Sequence, residues 1–168
     1  MANKIILKKK IFNFKKKISI PGDKSISIRW VLISSLANGV SKAKNLLMSE
    51  DVLTTIESIK KFGVKVILKK DLCIIHGSGI NGYKYKKNIT INAGNSGTLG
   101  RLISGILIDT PFPIKIIGDK SLSRRDFKRI SDPLCKFGAS FKLNKNKFLP
   151  LSIIGSNKLK PINYLENR

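Results

Sequence analysis

The sequence predicts a mixed fold of the α+β type, built from a repeated β-α-β-α-β-β unit. Three observations carry this. Apolar spacing alternates between strand-like and helix-like stretches, and the same order runs twice along the chain. The segments "KKFGVKV" and "CKFGASF" lie 75 residues apart. Arg29 and Arg101, each inside the first helix of its unit, lie 72 residues apart. A repeat of this size implies two units that pack on each other and share a core.

Taken in order, short strands are expected near Ile5 to Leu7 and Lys17 to Ile20. A helix follows from about Ser25 to Ala37, with Ile26, Trp30, Ile33 and Ala37 on one face and Gly39 just beyond. A strand near Lys42 to Leu47 leads to a second helix, with Ser49 as cap and Glu50 and Asp51 in the first turn. Its inward residues are Val52, Ile56, Ile59 and Phe62, and Gly63 ends it. Val64 to Leu68 and Leu72 to Ile75 form a strand pair. The second unit repeats this: a strand at Lys87 to Ile91, a helix from "GNSGTLGRLISGIL", and a strand at Ile114 to Ile117. A helix with Phe127, Ile130, Leu134 and Phe137 on one face then ends at Gly138, before strands near Ser140 to Leu143 and Leu151 to Ile154. The sequence reaches "PINYLENR" where a third unit would begin, so the chain reads as cut short.

Composition narrows the function. The 168 residues suit one ordinary domain or part of a larger one, and 42% hydrophobic content supplies a core. No apolar run approaches the ~18 residues of a membrane span, and the start, "MANKIILKKK", has no secretory pattern. Cys73 and Cys135 do not form a metal-like pair, and His76 is the sole histidine, which argues against a Cys/His metal centre. Both cysteines read as small buried hydrophobes in a reducing cytoplasm. Thirty-three Lys and Arg against 10 Asp and Glu give a net charge of +23. Such an excess points to anionic partners. The lysines, however, are scattered or at strand ends apart from the run Lys8 to Lys17, so a solvated basic surface is favoured over nucleic-acid binding.

Three motifs concentrate the chemistry at helix starts, where outward N–H groups and partial positive charge favour anions. In "PGDKSISIR", Pro21 and Gly22 turn the chain, Asp23 can cap, and Lys24 and Ser25 open the helix, with Arg29 one turn on. No second glycine precedes Lys24, which excludes a nucleotide-binding P-loop; a solvated helix start is the plain alternative. In "GNSGTLGR", Asn95, Ser96, Gly97 and Thr98 offer donors and Arg101 follows, although glycines there also serve close packing. In "GDKSLSRRD", Gly118 ends a strand and Arg124 and Arg125 precede a helix. Guanidinium forks grip carboxylate or phosphate through paired hydrogen bonds. Cations at helix starts oppose the macrodipole unless an anion lies between, and the recurrence favours an anion site.

In this order the three motifs, with "SEDVLTTIESIKKFGVKV" between the first two, resemble the N-terminal part of the 5-enolpyruvylshikimate-3-phosphate synthase (3-phosphoshikimate 1-carboxyvinyltransferase) family. The resemblance covers nearly the whole chain, and the family's enzymes are more than twice as long. It implies two domains, each of three such units in an inside-out α/β barrel, with the active site in the cleft between. Residues 1–20 would supply strands to the other, C-terminal domain; residues 21–168 would be two units and the start of a third. The implied reaction moves the enolpyruvyl group of phosphoenolpyruvate to the 5-hydroxyl of shikimate 3-phosphate and releases phosphate, on the route to chorismate and aromatic amino acids. It uses no cofactor and no metal. The resemblance further implies a cytoplasmic enzyme, monomeric at full length, with no nucleic-acid or membrane partner.

By position, Lys24 would contact both substrates and assist proton transfer, while Ser25 and Arg29 hold shikimate 3-phosphate. Gly97 would border the phosphoenolpyruvate site, where the inhibitor glyphosate also sits, with Asn95 and Arg101 shaping that loop. Arg125 would hold an anionic group of phosphoenolpyruvate. Asp126 stands where the family usually has proline, and a carboxylate there would weaken the grip of Arg125. The resemblance implies that the family's acidic proton-transfer residues would fall beyond Arg168, so this stretch alone is expected to be inactive. Two alternatives stay open at this point: the UDP-N-acetylglucosamine enolpyruvyl transferase, which shares fold and donor, and a non-catalytic basic module binding anions or nucleic acid.

Overall fold

A computed structural model describes residues 15–165 together with residues 6, 8, 10, 12 and 13. Its elements are α1 (Lys24–Leu36), β1 (Asn38–Lys44), α2 (Glu50–Lys60), β2 (Lys65–Lys69), β3 (Leu72–Ser78), β4 (Thr90–Asn92), α3 (Gly97–Ile106) and β5 (Ile114–Ile117), followed by a 3-10 turn at Leu122–Arg124, α4 (Lys128–Phe137), β6 (Ser140–Asn144) and β7 (Phe148–Ile154). The second unit is thus β-α-β-α-β-β. In the first, residues 17–20, expected as the leading strand, have no sheet partner among the described residues, and Ile18 and Ile20 stand exposed. So short a stretch has no stability as a strand without a neighbour. Ile5 and Leu7 lie outside the described residues.

The repeat extends to the sheets. The first has the order β1-β3-β2, antiparallel throughout; the second has β4-β5-β7-β6. In it β5, β7 and β6 pair as β1, β3 and β2 do, and β4 lies parallel beside β5. Helix α1 packs on α2, on β3 and on α3, and so ties the units together. One apolar cluster spans both, from Ile28, Val31, Ile56, Ile59 and Ile75 to Ile91, Leu99, Ile103, Ile116 and Ile153.

Several elements fall where the sequence put them. In α2, Val52, Ile56 and Ile59 are fully buried, as is Phe62 just beyond it, and Gly63 leaves the helix at φ +84°. Gly138 closes α4 at φ +116°. Phe127 is fully buried and Ile130 packs on the core, but Leu134 and Phe137 are only half-buried. Others differ. Helix α1 buries Ile28, Val31 and Leu32 with Ser27, Ser34 and Ser35, while Ile26 and Ile33 are 69% and 68% exposed. Apolar residues surround this helix, so spacing alone does not select its inner face. Strand β1 starts at Asn38 because its register with β3 runs from Asn38↔Ser78 to Lys44↔Leu72. Ser49 precedes α2, but its hydroxyl makes no capping bond. Cys73 is buried, and burial pushes its thiol upward; Cys135, expected inside, is exposed on α4.

The lysines of the strands face solvent. Lys42 and Lys44 on β1, Lys65 and Lys69 on β2, Lys115 on β5 and Lys142 on β6 are all exposed. On β5, Lys115 points opposite to the buried Ile114 and Ile116, as alternation along a strand requires.

Candidate anion-binding site

Strands β4 and β5 are parallel, so the loops that follow them leave the sheet at the same end. Residues 93–96 lead from β4 into α3, and residues 118–127 lead from β5 through the 3-10 turn to α4. Backbone bonds hold the two loops together: Ala93 N–H donates to the Ile117 carbonyl and Asp119 N–H to the Gly94 carbonyl, each at 2.8 Å. Ligands commonly occupy such ends of parallel strands.

Gly97 is the first residue of α3, and Ser96 caps that helix by accepting from Leu99 N–H at 3.2 Å. A Cβ built on Gly97 would lie 3.0 Å from Arg125 Nη1 and 3.1 Å from Arg101 Nη1. Two guanidinium groups therefore converge on one point at a helix N-terminus whose first turn carries no acidic residue. Arg101 is fixed there by donating through Nη2 to the Asp126 carbonyl at 3.3 Å and by lying over the Phe127 ring, 5.3 Å from its centre. Arg125 donates through Nη2 to Asn95 Oδ1 at 3.3 Å. Like charges gathered where the helix dipole already opposes them create a positive potential that an anion there would offset. An open depression lined by Asp119, Lys120, Ser121, Arg124 and Arg125 adjoins.

Sequence reading missed Asp119. Its Oδ2 accepts from Asn95 Nδ2 and its Oδ1 from Leu122 N–H, both at 2.6 Å. The Asn95 amide first, then the Leu122 N–H and the charge of Arg125, hold its carboxyl below the usual carboxylate range. Asp126, expected to weaken Arg125, is engaged elsewhere: Oδ1 accepts from Lys128 N–H at 2.6 Å, and Oδ2 lies 4.0 Å from Lys147 Nζ. It thus holds the N–H of the first residue of α4 from the turn that precedes the helix.

The first unit has a matching turn. A Cβ on Gly22 would sit 2.4 Å from the Asn45 carbonyl oxygen, so only glycine fits there. Asp23 caps α1 through Ile26 N–H at 2.7 Å, as the sequence suggested. Lys24 Nζ lies 3.0 Å from Asp51 Oδ2 on α2, with the Lys24 side chain 54% exposed. Arg29 is exposed and donates through Nη1 back to the Ser25 carbonyl at 3.2 Å. The Lys24–Asp51 pair crosses two helices, which is why the sequence shows Asp51 only as a first-turn acid. Asn95, Gly97, Arg101 and Arg125 thus form one cluster. Lys24, Ser25 and Arg29 form another at the start of α1.

Comparison with known proteins adds the family. Residues 8–167 match the family model for EPSP synthase (3-phosphoshikimate 1-carboxyvinyltransferase). A 3-phosphoshikimate 1-carboxyvinyltransferase of Vesicomyosocius okutanii subsp. Calyptogena okutanii (strain HA) is 47% identical over 147 residues, 88% of this chain and 33% of that protein. One from Streptococcus pyogenes serotype M1 is 43% identical over 148 residues, 88% of this chain and 34% of that protein. The fold matches an EPSP synthase structure from Acinetobacter baumannii with a TM-score of 0.83 and 37% identity, over 90% of this chain and 34% of that one. The chain therefore spans about a third of the length of the relatives it matches.

Proposed function

The chain belongs to the EPSP synthase (3-phosphoshikimate 1-carboxyvinyltransferase) family, and from that premise we propose that it takes part in moving the enolpyruvyl group of phosphoenolpyruvate to the 5-hydroxyl of shikimate 3-phosphate, with release of phosphate. The observation that carries this reading is the convergence of Arg101 and Arg125 on Gly97 at the start of α3. Both substrates are polyanions, and the reaction needs them fixed beside each other at preorganised cations.

In this reading Arg125 binds an anionic group of phosphoenolpyruvate and Gly97 leaves the space it enters, with Asn95 and Arg101 shaping the loop. Lys24 touches both substrates and moves a proton, while Ser25 and Arg29 hold shikimate 3-phosphate. Residues 21–168 make two repeat units and the start of a third, and residues 1–20 serve a second domain. The enzyme works in the cytoplasm as a monomer, without cofactor or nucleic acid. No helix among the described residues is long and apolar enough to cross a membrane. The test replaces the matched third of a family enzyme with this chain and assays phosphate release from the two substrates. Turnover supports the reading; an intact, folded chimera without turnover overturns it.

Gly97→Ala gives a second expected result. Gly97 does not sit in the left-handed region, but the added methyl would press on the guanidinium ends of Arg125 and Arg101 at 3.0 and 3.1 Å and touch Leu122 Cδ1 at 3.6 Å. Gly97 is the first residue of α3, outside the helix interior where glycine is costly, and its neighbours must give way to the methyl, so stability should change little. The same methyl crowds the anion site, so affinity for phosphoenolpyruvate and inhibition by glyphosate both weaken. Thermal melts and inhibition assays on the chimera check this; unchanged inhibition would place Gly97 away from the donor site.

A further inference from the structure

Asp119 is an exposed carboxylate beside a cluster of cations built to receive an anion, where its charge would repel that anion. Its two oxygens are instead turned to two N–H donors. Oδ1 holds Leu122 N–H and so shapes the 3-10 turn that ends in Arg124; Oδ2 holds the NH2 of Asn95. The backbone of Asp119 is fixed as well, its N–H on the Gly94 carbonyl at 2.8 Å and its carbonyl accepting from Ser123 N–H at 2.9 Å. An asparagine amide has two faces of opposite polarity, and its partners choose which faces where. With its NH2 on Asp119, Asn95 presents Oδ1 to Arg125 Nη2. Turned over, it would present NH2 to a guanidinium, donor against donor.

We propose that Asp119 is a positioning residue for the anion site: by fixing the Asn95 amide it aims the Arg125 guanidinium at the space above Gly97. The inference rests on the reading of Arg125 and Gly97 as the phosphoenolpyruvate site. Asp119 touches no substrate in this scheme and acts only through Asn95.

Asp119→Asn separates this role from plain support of the turn. Its remaining oxygen still accepts from Leu122 N–H, but an NH2 in place of Oδ2 cannot accept from Asn95. Asp119→Ser is a second such variant, because a hydroxyl still caps the turn yet does not reach Asn95. The measurement is titration of the 168-residue chain with phosphoenolpyruvate and with inorganic phosphate, with thermal melts alongside. Loss of a charge-assisted hydrogen bond should weaken binding about 10-fold in Asp119→Asn and in Asn95→Ala, with little change in melting. The double variant should bind no worse than either single one, since both break the same relay. Wild-type affinity in the folded Asp119 variants, or losses that multiply in the double variant, would overturn the proposal. Arg125→Leu separates the two levels. If it weakens binding and Asp119→Asn does not, only the relay fails; if neither the wild-type chain nor any variant binds, the anion site itself fails and the relay with it.

Discussion

Lys24→Met in the chimeric enzyme is expected to abolish turnover while leaving the fold intact. The side chain stands at the first position of α1, half exposed, and its described partner is Asp51, 3.0 Å away. The Asp51 side chain is 18% exposed, so the pair is only partly solvated; its loss should cost about 1 kcal/mol, the upper end for surface pairs, and the variant should melt slightly below the parent. Met keeps the length of the chain and removes the ammonium. If Lys24 moves a proton in the transition state, the loss should reach about 10²–10⁴-fold, and more if it also holds both substrates. Asp51 gives an internal control. Asp51→Asn frees Lys24 without removing it and should cost far less activity than Lys24→Met. Near-normal turnover in folded Lys24→Met would remove Lys24 from the mechanism.

The 168-residue chain alone is expected to show no transferase activity. The reaction needs proton donors and acceptors on both sides of the reacting carbons and a cleft that closes over two substrates. The chain spans about a third of the length of its relatives. Its cations should still bind phosphate weakly. Purified chain and chimera, assayed side by side for phosphate release, decide the matter. Turnover by the chain alone would show that the remaining two thirds of the family's length is dispensable for catalysis.

The parts of this molecule legible in sequence are those governed by local rules. Helix α2 announces itself through an acidic first turn, an apolar stripe and a terminal glycine, and all three stand in the structure. The repeat was readable because Arg29 and Arg101, and the two "FG" helix ends, keep their spacing. What stayed hidden depends on contacts between distant residues. The inner face of α1 is chosen by what packs on it, since both of its faces are apolar. The extent of β1 is set by its partner β3. Asp119 looks like an ordinary turn residue until the parallel pairing of β4 and β5 brings it to Asn95, 24 positions earlier. Asp126 looked like a threat to Arg125 because adjacency in sequence suggests adjacency of charge. The backbone instead turns its carboxylate toward α4.

The central claim is that an anion binds at the start of α3 between Arg101 and Arg125. Its most direct test is a titration of the ¹⁵N-labelled chain with phosphoenolpyruvate, followed by NMR. The account predicts saturable shifts in the backbone signals of Gly97 and Thr98 and the side-chain signals of Asn95 and Arg125, lost in Arg125→Leu. Shifts spread over the exposed lysines of the sheets, with Gly97 and Arg125 unmoved, would contradict it.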